Sequence, residues 1–139
     1  MNSITTRVWI AGASGRLGSA LSHRFGGNTA YKLVTSDRDV PVEDVSVVGR
    51  FADINHPDVI INCAGLTDVQ ACEENPEEAY KINAIGARNL AIAAADTGAK
   101  LMALADNALD GKTFSIAGGD ISLKLFPSWF RTSEAGTLL

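Results

Sequence analysis

Hydrophobic positions along the chain follow two patterns that alternate as far as about residue 105. The first pattern is a short continuous apolar run, which is typical of a buried strand. These runs occupy residues 7–11, 31–37, 41–45, 57–65 and 100–105. The second pattern is a longer stretch with apolar residues at helical spacing. These stretches occupy residues 15–25, 47–55 and 74–100.

Glycines mark the ends of the two most regular helical stretches. In the first stretch, Leu17, Leu21 and Phe25 recur every four residues, which predicts an amphipathic helix. Gly26–Gly27 predicts the end of that helix, and Gly98 suits the C-cap of the helix predicted over 74–100. Both segments therefore have a terminus that the sequence itself defines.

The alternation of strands and helices predicts the fold class. Strands that are apolar throughout, with helices between them, indicate a parallel sheet covered on both faces. Right-handed crossovers then give an α/β, Rossmann-type doubly wound sheet in three α/β/α layers, which stops after about five strands. Beyond Gly111 the pattern weakens to two short strands around a Gly-Gly turn. We expect residues 1–112 to form one domain and residues 113–139 a divergent tail.

Composition narrows the classes of function. The chain has 139 residues and a formal net charge of −4, which argues against a nucleic-acid surface. No apolar run reaches membrane-spanning length, and the N-terminal residues lead directly into a strand pattern rather than a signal peptide. Cys63 and Cys72 form no metal-ligand spacing with His23 or His56, so we expect no metal site. A reducing cytoplasm is the compartment that this cysteine usage favours.

A glycine-rich stretch, WIAGASGRLGSAL, joins the first predicted strand to the first predicted helix. Gly12 would allow a sharp turn, Gly15 would let a phosphate approach the backbone, and Gly18 would let the helix pack closely. The N-terminus of the helix would add its positive dipole. The spacing is G-x-x-G-x-x-G rather than G-x-G-x-x-G, so a tight strand-to-helix turn without a ligand remains an alternative.

Two further features would suit a dinucleotide. Asp37 ends the second strand about twenty residues past the glycines, where a carboxylate can bind an adenine ribose and so indicate NAD. Arg38 and Arg16 could instead bind a 2′-phosphate and indicate NADP. Small residues in the segment 61–65 would leave room for a cofactor at the switch point of the sheet. The sequence thus favours an NAD(P)-binding Rossmann domain over residues 1–112 and leaves NAD and NADP open.

Three segments, GASGRLGSAL, residues 58–90 and DNALDGK, together resemble the extended short-chain dehydrogenase/reductases. Among these enzymes, the sequence is most similar to the dTDP-4-dehydrorhamnose reductase family, over residues 7 to about 112. The resemblance implies a protein that reduces a 4-keto nucleotide sugar with NADPH or NADH. Its partners would then be a dinucleotide and a nucleotide sugar.

The resemblance also implies a set of cofactor contacts. Asn83 matches a helix asparagine that supports the active site in the family, although a buried asparagine capping a neighbouring backbone group is an alternative. Cys63 is expected to behave as a small apolar residue. With Asn83, the implied cofactor-binding residues are Gly12, Ser14, Gly15, Arg16, Leu17, Gly18, Asp37, Arg38, Asp44, Val45, Cys63, Ala64, Gly65 and Thr67.

The catalytic groups that the resemblance implies are missing from these 139 residues. The superfamily uses a tyrosine as proton donor and a lysine four residues later, because the alkoxide formed by hydride addition must be protonated. Tyr31 and Tyr80 are each followed directly by lysine, and by none at the fourth position. Leu104 and Ala105 stand where the family has Ser-Thr, although Asp106, Asp110 and Gly111 match. We therefore assign no catalytic residue.

The chain has the family's cofactor-binding motifs but lacks its catalytic groups, and three interpretations of its function follow. The first is a remnant of the family, truncated or frameshifted after Gly111, that binds NAD(P) or nothing and is inactive. The second is a dinucleotide-sensing or regulatory protein built on an inactive reductase fold. The third is a reductase that uses other groups or is completed by another chain.

The aromatic residues Phe126, Trp129 and Phe130 in the tail predict an interface. They could cover the edge of the sheet in a homo-oligomer, because an uncovered strand edge favours pairing with another chain. Alternatively, they cap the core of their own chain.

Overall fold

Four parallel strands form the central sheet of the structure, a computed structural model that describes residues 4–66, 68–103, 113–116 and 119–122. The strands are β1 (Thr6–Ala11), β2 (Tyr31–Ser36), β3 (Val59–Asn62) and β4 (Lys100–Ala103), in the order β2-β1-β3-β4. Ala11 lies opposite both Ser36 and Asn62, so the carboxyl ends of β1, β2 and β3 align at one edge. The order reverses direction beside β1, which defines a switch point there.

Helices join the strands and cover both faces of the sheet. They are α1 (Arg16–Gly26), α2 (Val45–Asn55), α3 (Val69–Glu74), α4 (Pro76–Tyr80) and α5 (Gly86–Thr97), with a π turn at Lys81–Ile85. Two further strands, β5 (Thr113–Ile116) and β6 (Gly119–Ser122), pair antiparallel with each other. They confirm the two short strands expected beyond Gly111. The predicted Rossmann-type α/β fold is confirmed.

Alternating side chains of β1 supply the cores of both faces. Trp9 and Ala11 are fully buried in a cluster with side chains of α2 and α5. Val8 and Ile10 are buried on the opposite face, where Leu21 and Phe25 of α1 pack against them. The three-layer α/β/α arrangement follows from this alternation.

Trp9 also ties two neighbouring strands together inside the core. Its indole Nε1–H donates a 2.8 Å hydrogen bond to Ser36 Oγ, and both side chains are buried. Its ring lies 4.8 Å from that of Phe51 on α2, centroid to centroid. A buried indole N–H needs such a partner, so Ser36 at the end of β2 is fixed in place.

The strand predicted at 41–45 is wrong. Residues 37–44 form a loop, and Val45 begins α2. The carboxylate of Asp44 accepts hydrogen bonds from the backbone N–H groups of Ser46 and Val47, so it caps the helix. A capping aspartate stabilises a helix start, which outweighs the strand tendency of the valines around it.

The helix predicted over 74–100 is divided in the structure. Pro76 occupies the first turn of α4, and the chain continues through the π turn into α5, which ends before Gly98 with φ +74°. The expected C-cap is thus confirmed, whereas the sequence pattern predicts neither α3 nor the π turn. Gly86 follows the π turn, and a Cβ there would lie 2.6 Å from Val42 Cγ2. This close contact lets α5 pack against the 37–44 loop.

Candidate functional site

A cleft of about 560 Å³ lies at the carboxyl ends of β1, β2 and β3. It is bordered by the glycine loop after β1, the 37–44 loop after β2, the residues after β3, and α4 with the π turn. The described residues that line it are Gly12, Ser14, Gly15, Asp37, Arg38, Val40, Pro41, Val42, Glu43, Cys63, Ala64, Gly65, Leu66, Glu78 and Ile82.

The three glycines of the loop have different surroundings. Gly12 has φ +79°, and a Cβ there would lie 2.5 Å from the backbone nitrogen of Ala64. A Cβ on Gly18 would collide with the carbonyl oxygen of Gly12. A Cβ on Gly15 would have the Gly12 oxygen, at 3.6 Å, as its nearest neighbour, and Gly15 lines the cleft. Gly12 and Gly18 are therefore required by packing, whereas Gly15 is not.

The beginning of α1 has the form of an anion site. Gly15 occupies the N-cap position and offers no side chain to cap the free N–H groups of the first turn. Such N–H groups and the helix dipole favour a negative ligand. Arg16 and Leu17 lie in this first turn and are exposed, but they are not among the described residues that line the cleft. Gly18 is buried behind them.

Asp37 connects the loop after β2 to the glycine loop. Its Oδ1 accepts a 2.8 Å hydrogen bond from the backbone N–H of Ser14. Its own backbone N–H donates a 2.7 Å hydrogen bond to Asp39 Oδ1. Ser36 O accepts hydrogen bonds from the backbone N–H groups of Gly12 and Ala13, at 2.8 and 3.1 Å. These bonds hold the glycine loop against the end of β2.

The 37–44 loop lines the cleft with residues that the sequence analysis did not select. Val40 and Val42 are buried, and Asn89 Nδ2 on α5 donates a 2.9 Å hydrogen bond to Val42 O. Asp44 and Val45, which the resemblance implied as contacts, lie at the start of α2 and are not among the described lining residues. In the sequence, only the apolar character of Val40 and Val42 indicates that this loop packs against the protein. That character by itself favours a strand, so the sequence does not predict that these residues line a cleft.

Three predicted residues follow β3 and line the cleft together. The backbone N–H of Cys63 donates a 2.8 Å hydrogen bond to Ala11 O, and that of Ala64 donates to Asn62 Oδ1 at 3.0 Å. Gly65 continues the segment beside them. Burial raises the pKa of the Cys63 thiol from 9.0 to about 11. The thiol is therefore protonated at neutral pH and behaves as the small apolar group that we expected.

Asn83 and Cys72 hold the next residue of this segment, Leu66. Asn83 Oδ1 accepts from Leu66 N–H at 2.8 Å, and its Nδ2 donates to Leu66 O at 3.0 Å. Cys72 Sγ donates to the same carbonyl oxygen at 3.2 Å. Asn83 thus contacts backbone at the border of the cleft from the exposed side of the π turn, rather than as a buried group. Thr67 lies outside the described residues.

Two further lining residues, on α4 and the π turn, are absent from the residues that the sequence predicts. Glu78 of α4 and Ile82 of the π turn line the cleft. Their neighbour Lys81 pairs with Glu77, with Nζ 3.0 Å from Oε1, and this hydrogen bond raises the pKa of the Lys81 ammonium. They are missed from sequence because only the packing of α5 brings this segment to the sheet edge.

Several expectations lie beyond the described residues. These include the family positions at 104–111 and the tail aromatics Phe126, Trp129 and Phe130. Over the part of the chain that the structure describes, no three histidine, cysteine or acidic side chains are grouped as metal ligands. None of the helices described there has the length and apolarity needed to cross a membrane.

The parallel sheet, its switch point and the glycine loop define a Rossmann-type α/β protein. Residues 6–115 match the family model described as RmlD substrate binding domain, and the chain belongs to this family. The resemblance found in the sequence is thereby confirmed.

Individual relatives agree with this assignment. The chain is 38% identical over 106 residues to dTDP-4-dehydrorhamnose reductase of Mycobacterium tuberculosis, covering 76% of this chain and 34% of that protein. It is 28% identical over 134 residues to dTDP-4-keto-6-deoxy-D-glucose reductase of Streptomyces niveus, covering 96% of this chain and 46% of that protein. The second match necessarily includes residues beyond 112. The chain thus spans about a third to a half of these relatives' length.

A solved structure shows the same relationship in three dimensions. The crystal structure of dTDP-4-dehydrorhamnose reductase from Bacillus anthracis, in complex with NADP, superposes with a TM-score of 0.73 at 34% identity. The match covers 79% of this chain and 39% of that one.

Proposed function

We propose that this chain is the dinucleotide-binding part of an NADP- or NAD-dependent reductase of 4-keto nucleotide sugars. The observation that carries the proposal is the environment of Gly15. Packing accounts for glycine at positions 12 and 18, but the space beside Gly15 belongs to the cleft. A glycine at a helix N-terminus, where the protein itself has room for a side chain, leaves that room and the backbone N–H groups open to a bound pyrophosphate.

The lining of the cleft supports a position for each part of the dinucleotide. The pyrophosphate would be held by the backbone of the glycine loop and the first turn of α1. The adenosine ribose would lie at Asp37 and the adenine against Val40 and Val42. The nicotinamide half would follow the backbone from Cys63 to Gly65, towards Thr67 and Asn83. Four further residues remain proposed contacts, because each lies within two residues in sequence of one that lines the cleft: Arg16, Leu17, Asp44 and Val45.

The bound cofactor would supply a hydride, and the chain's own residues would bind and orient the cofactor. Two tyrosines occur in the 139 residues, and neither has the lysine partner at the fourth position. Tyr80 is exposed on α4 and is not among the described residues that line the cleft. We therefore propose that these 139 residues bind the dinucleotide without reducing a sugar by themselves. Mixing them with NADPH and a 4-keto nucleotide sugar should give no loss of absorbance at 340 nm beyond the rate without protein.

The test of the binding proposal is a titration of the purified chain with NADPH and NADH, followed by nicotinamide fluorescence. The wild-type chain should saturate, and Gly15→Val should weaken binding at least about tenfold, because the side chain would occupy the phosphate position. Gly49→Val is the matched control. Gly49 lies on α2, a Cβ there would meet no atom within 4 Å beyond the neighbouring backbone of its own helix, and Gly49 is not among the described residues that line the cleft. Equal binding by both variants would contradict the proposal.

The division of the chain is part of the same proposal. Residues 1–112 would form the dinucleotide-binding domain, and residues 113–139 a tail that covers the sheet edge or an oligomer interface. The separate pairing of β5 with β6 supports this division. Both cysteines are free, which supports a cytoplasmic location, where thiols stay reduced.

A further inference from the structure

A buried asparagine on α5 holds the 37–44 loop in place. Asn89 is 1% exposed, and its Nδ2 donates a 2.9 Å hydrogen bond to Val42 O, 47 residues earlier in the chain. Over the described part of the chain, every other hydrogen bond of residues 38–43 stays within the 37–44 loop. In hydrogen bonding, this segment is therefore joined to the core through the carbonyl group of Val42.

Packing alone does not account for an asparagine at position 89. The second polar atom of its amide, Asn89 Oδ1, is buried and has no hydrogen-bond partner among the described residues. A buried acceptor without a partner costs stability, and asparagine forms helices less readily than leucine does. The hydrogen bond to Val42 O is thus the interaction for which an amide is needed here.

A second contact from α5 fixes the side chain of the same valine. Gly86 begins α5, and a Cβ there would lie 2.6 Å from Val42 Cγ2 and 3.1 Å from Val42 Cβ. Gly86 and Asn89 are three residues apart, so they lie on the same side of the helix. Val42 is buried and also lines the cleft. One face of α5 therefore holds both the backbone and the side chain of a residue at the border of the cleft.

We propose that Asn89 is a positioning residue for the adenosine half of the dinucleotide. Asn89 is not among the described residues that line the cleft, so it acts through Val42, which the adenine would contact. The inference rests on the proposed dinucleotide site and adds to it a residue behind the lining. The nicotinamide half would lie along the segment after β3, which Asn83 holds, so Asn89 should leave its binding unchanged.

The experiment titrates the full chain by calorimetry with NADH, NADPH, 5′-AMP and reduced nicotinamide mononucleotide. Asn89→Leu keeps a side chain of similar size and removes the hydrogen-bond donor. It should weaken the binding of the three ligands that contain adenosine by a common factor of about fivefold, as expected for the loss of one hydrogen bond that positions the loop. The affinity for nicotinamide mononucleotide should change less than about twofold.

Gly86→Ala tests the same contact without changing Asn89. Its Cβ would displace Val42, whereas alanine favours a helix more than glycine does, so weaker binding would not reflect a weaker helix. This variant should also weaken the three ligands that contain adenosine and spare the mononucleotide. Ala95→Gly is the matched control, since Ala95 is exposed on α5 and is not among the described lining residues. It should lower the urea midpoint and leave all four affinities unchanged.

Two results would overturn the inference. One is an Asn89→Leu chain that unfolds at a lower urea concentration but binds 5′-AMP as the wild type does, because Asn89 would then be structural alone. The other is an equal loss of affinity for 5′-AMP and nicotinamide mononucleotide, because the change would then extend over the whole cleft. If Asn89→Leu does not fold, Gly86→Ala decides between these outcomes. Failure of the wild type to bind NADH and NADPH would instead overturn the proposed function, and this inference with it.

Discussion

Gly12, Gly15 and Gly18 have different neighbours although the sequence spaces them evenly. The positive φ of Gly12 and its approach to Ala64 bring the loop against the end of β3. Gly18 brings α1 against the same loop. Only Gly15 leaves room that the protein does not use itself. At the scale of single residues, the binding hypothesis therefore depends on one glycine, and the other two explain why the loop has its shape.

Cys63 gives a prediction at the same scale. Because burial raises the pKa of its thiol to about 11, its thiolate fraction at pH 8 is about a hundredfold lower than at the ordinary value of 9.0. In a Cys72→Ser variant, where Cys63 is the remaining thiol, alkylation by iodoacetamide should be correspondingly slow. The rate should rise about tenfold per pH unit up to about pH 11.

The control for this measurement is the same variant in denaturing urea. Unfolding removes the burial, so the rate should then level off near pH 9. A plateau near pH 9 in the folded protein would show that the thiol is not desolvated there.

At the scale of elements, the segment after β3 is positioned by contacts with two elements that follow it, α3 and the π turn. The π turn places Asn83 so that its side-chain oxygen and nitrogen both form hydrogen bonds with the backbone of Leu66. The thiol of Cys72 on α3 donates a further hydrogen bond to Leu66 O. A π turn inside a helix often occurs at a functional position. Here it allows one side chain to hold the segment that carries Cys63, Ala64 and Gly65 into the cleft.

Replacing Asn83 with alanine should therefore weaken both the fold and the site. Loss of its two hydrogen bonds to Leu66 should lower the free energy of unfolding by about 1–2 kcal/mol. The affinity for the dinucleotide should fall severalfold as well, because the freed segment lines the cleft. Urea denaturation and fluorescence titration of the same samples measure the two effects.

Asn75→Ala is the matched control, since the side chain of Asn75 makes no capping hydrogen bond at the start of α4. Asn83→Asp keeps the acceptor for Leu66 N–H and loses the donor. Its free energy of unfolding and its affinity for the dinucleotide should therefore lie between those of wild type and Asn83→Ala. An Asn83→Ala variant that loses stability but binds the dinucleotide normally would assign Asn83 a structural role alone.

Elements with a strong local signal could be predicted from the sequence, and those decided by distant contacts could not. The apolar runs predict the four strands of the sheet, and Gly98 predicts the end of α5. The segment 41–45 is misassigned because its valines suggest a strand, whereas the cap at Asp44 and the contact of Val42 with Gly86 decide its structure. The residues that line the cleft divide in the same way between local signals and distant contacts. Gly15, Asp37 and Cys63–Gly65 could be found locally, whereas Glu78 and Ile82 reach the cleft only through packing.

At the scale of the whole molecule, β4 is the feature that bears on assembly. Over the described residues it pairs with β3 and with no other strand, so its second edge has N–H and C=O groups without a strand partner there. Such an edge favours pairing with another chain or coverage by a further segment. The sequence supplies candidates for coverage in Phe126, Trp129 and Phe130, whose positions lie outside the described residues.

We predict that the purified chain is a homo-oligomer, with the tail at its interface. Light scattering with size-exclusion chromatography should give at least twice the mass of 14.6 kDa calculated for one chain. Replacing Trp129 and Phe130 with serine should shift the mass towards that of one chain, because these side chains would no longer bury apolar area between copies. Gly49→Val again serves as the control that should leave the mass unchanged. A wild-type chain that elutes as a monomer, with a tail resistant to proteolysis, would instead place the aromatic side chains on the core of their own chain.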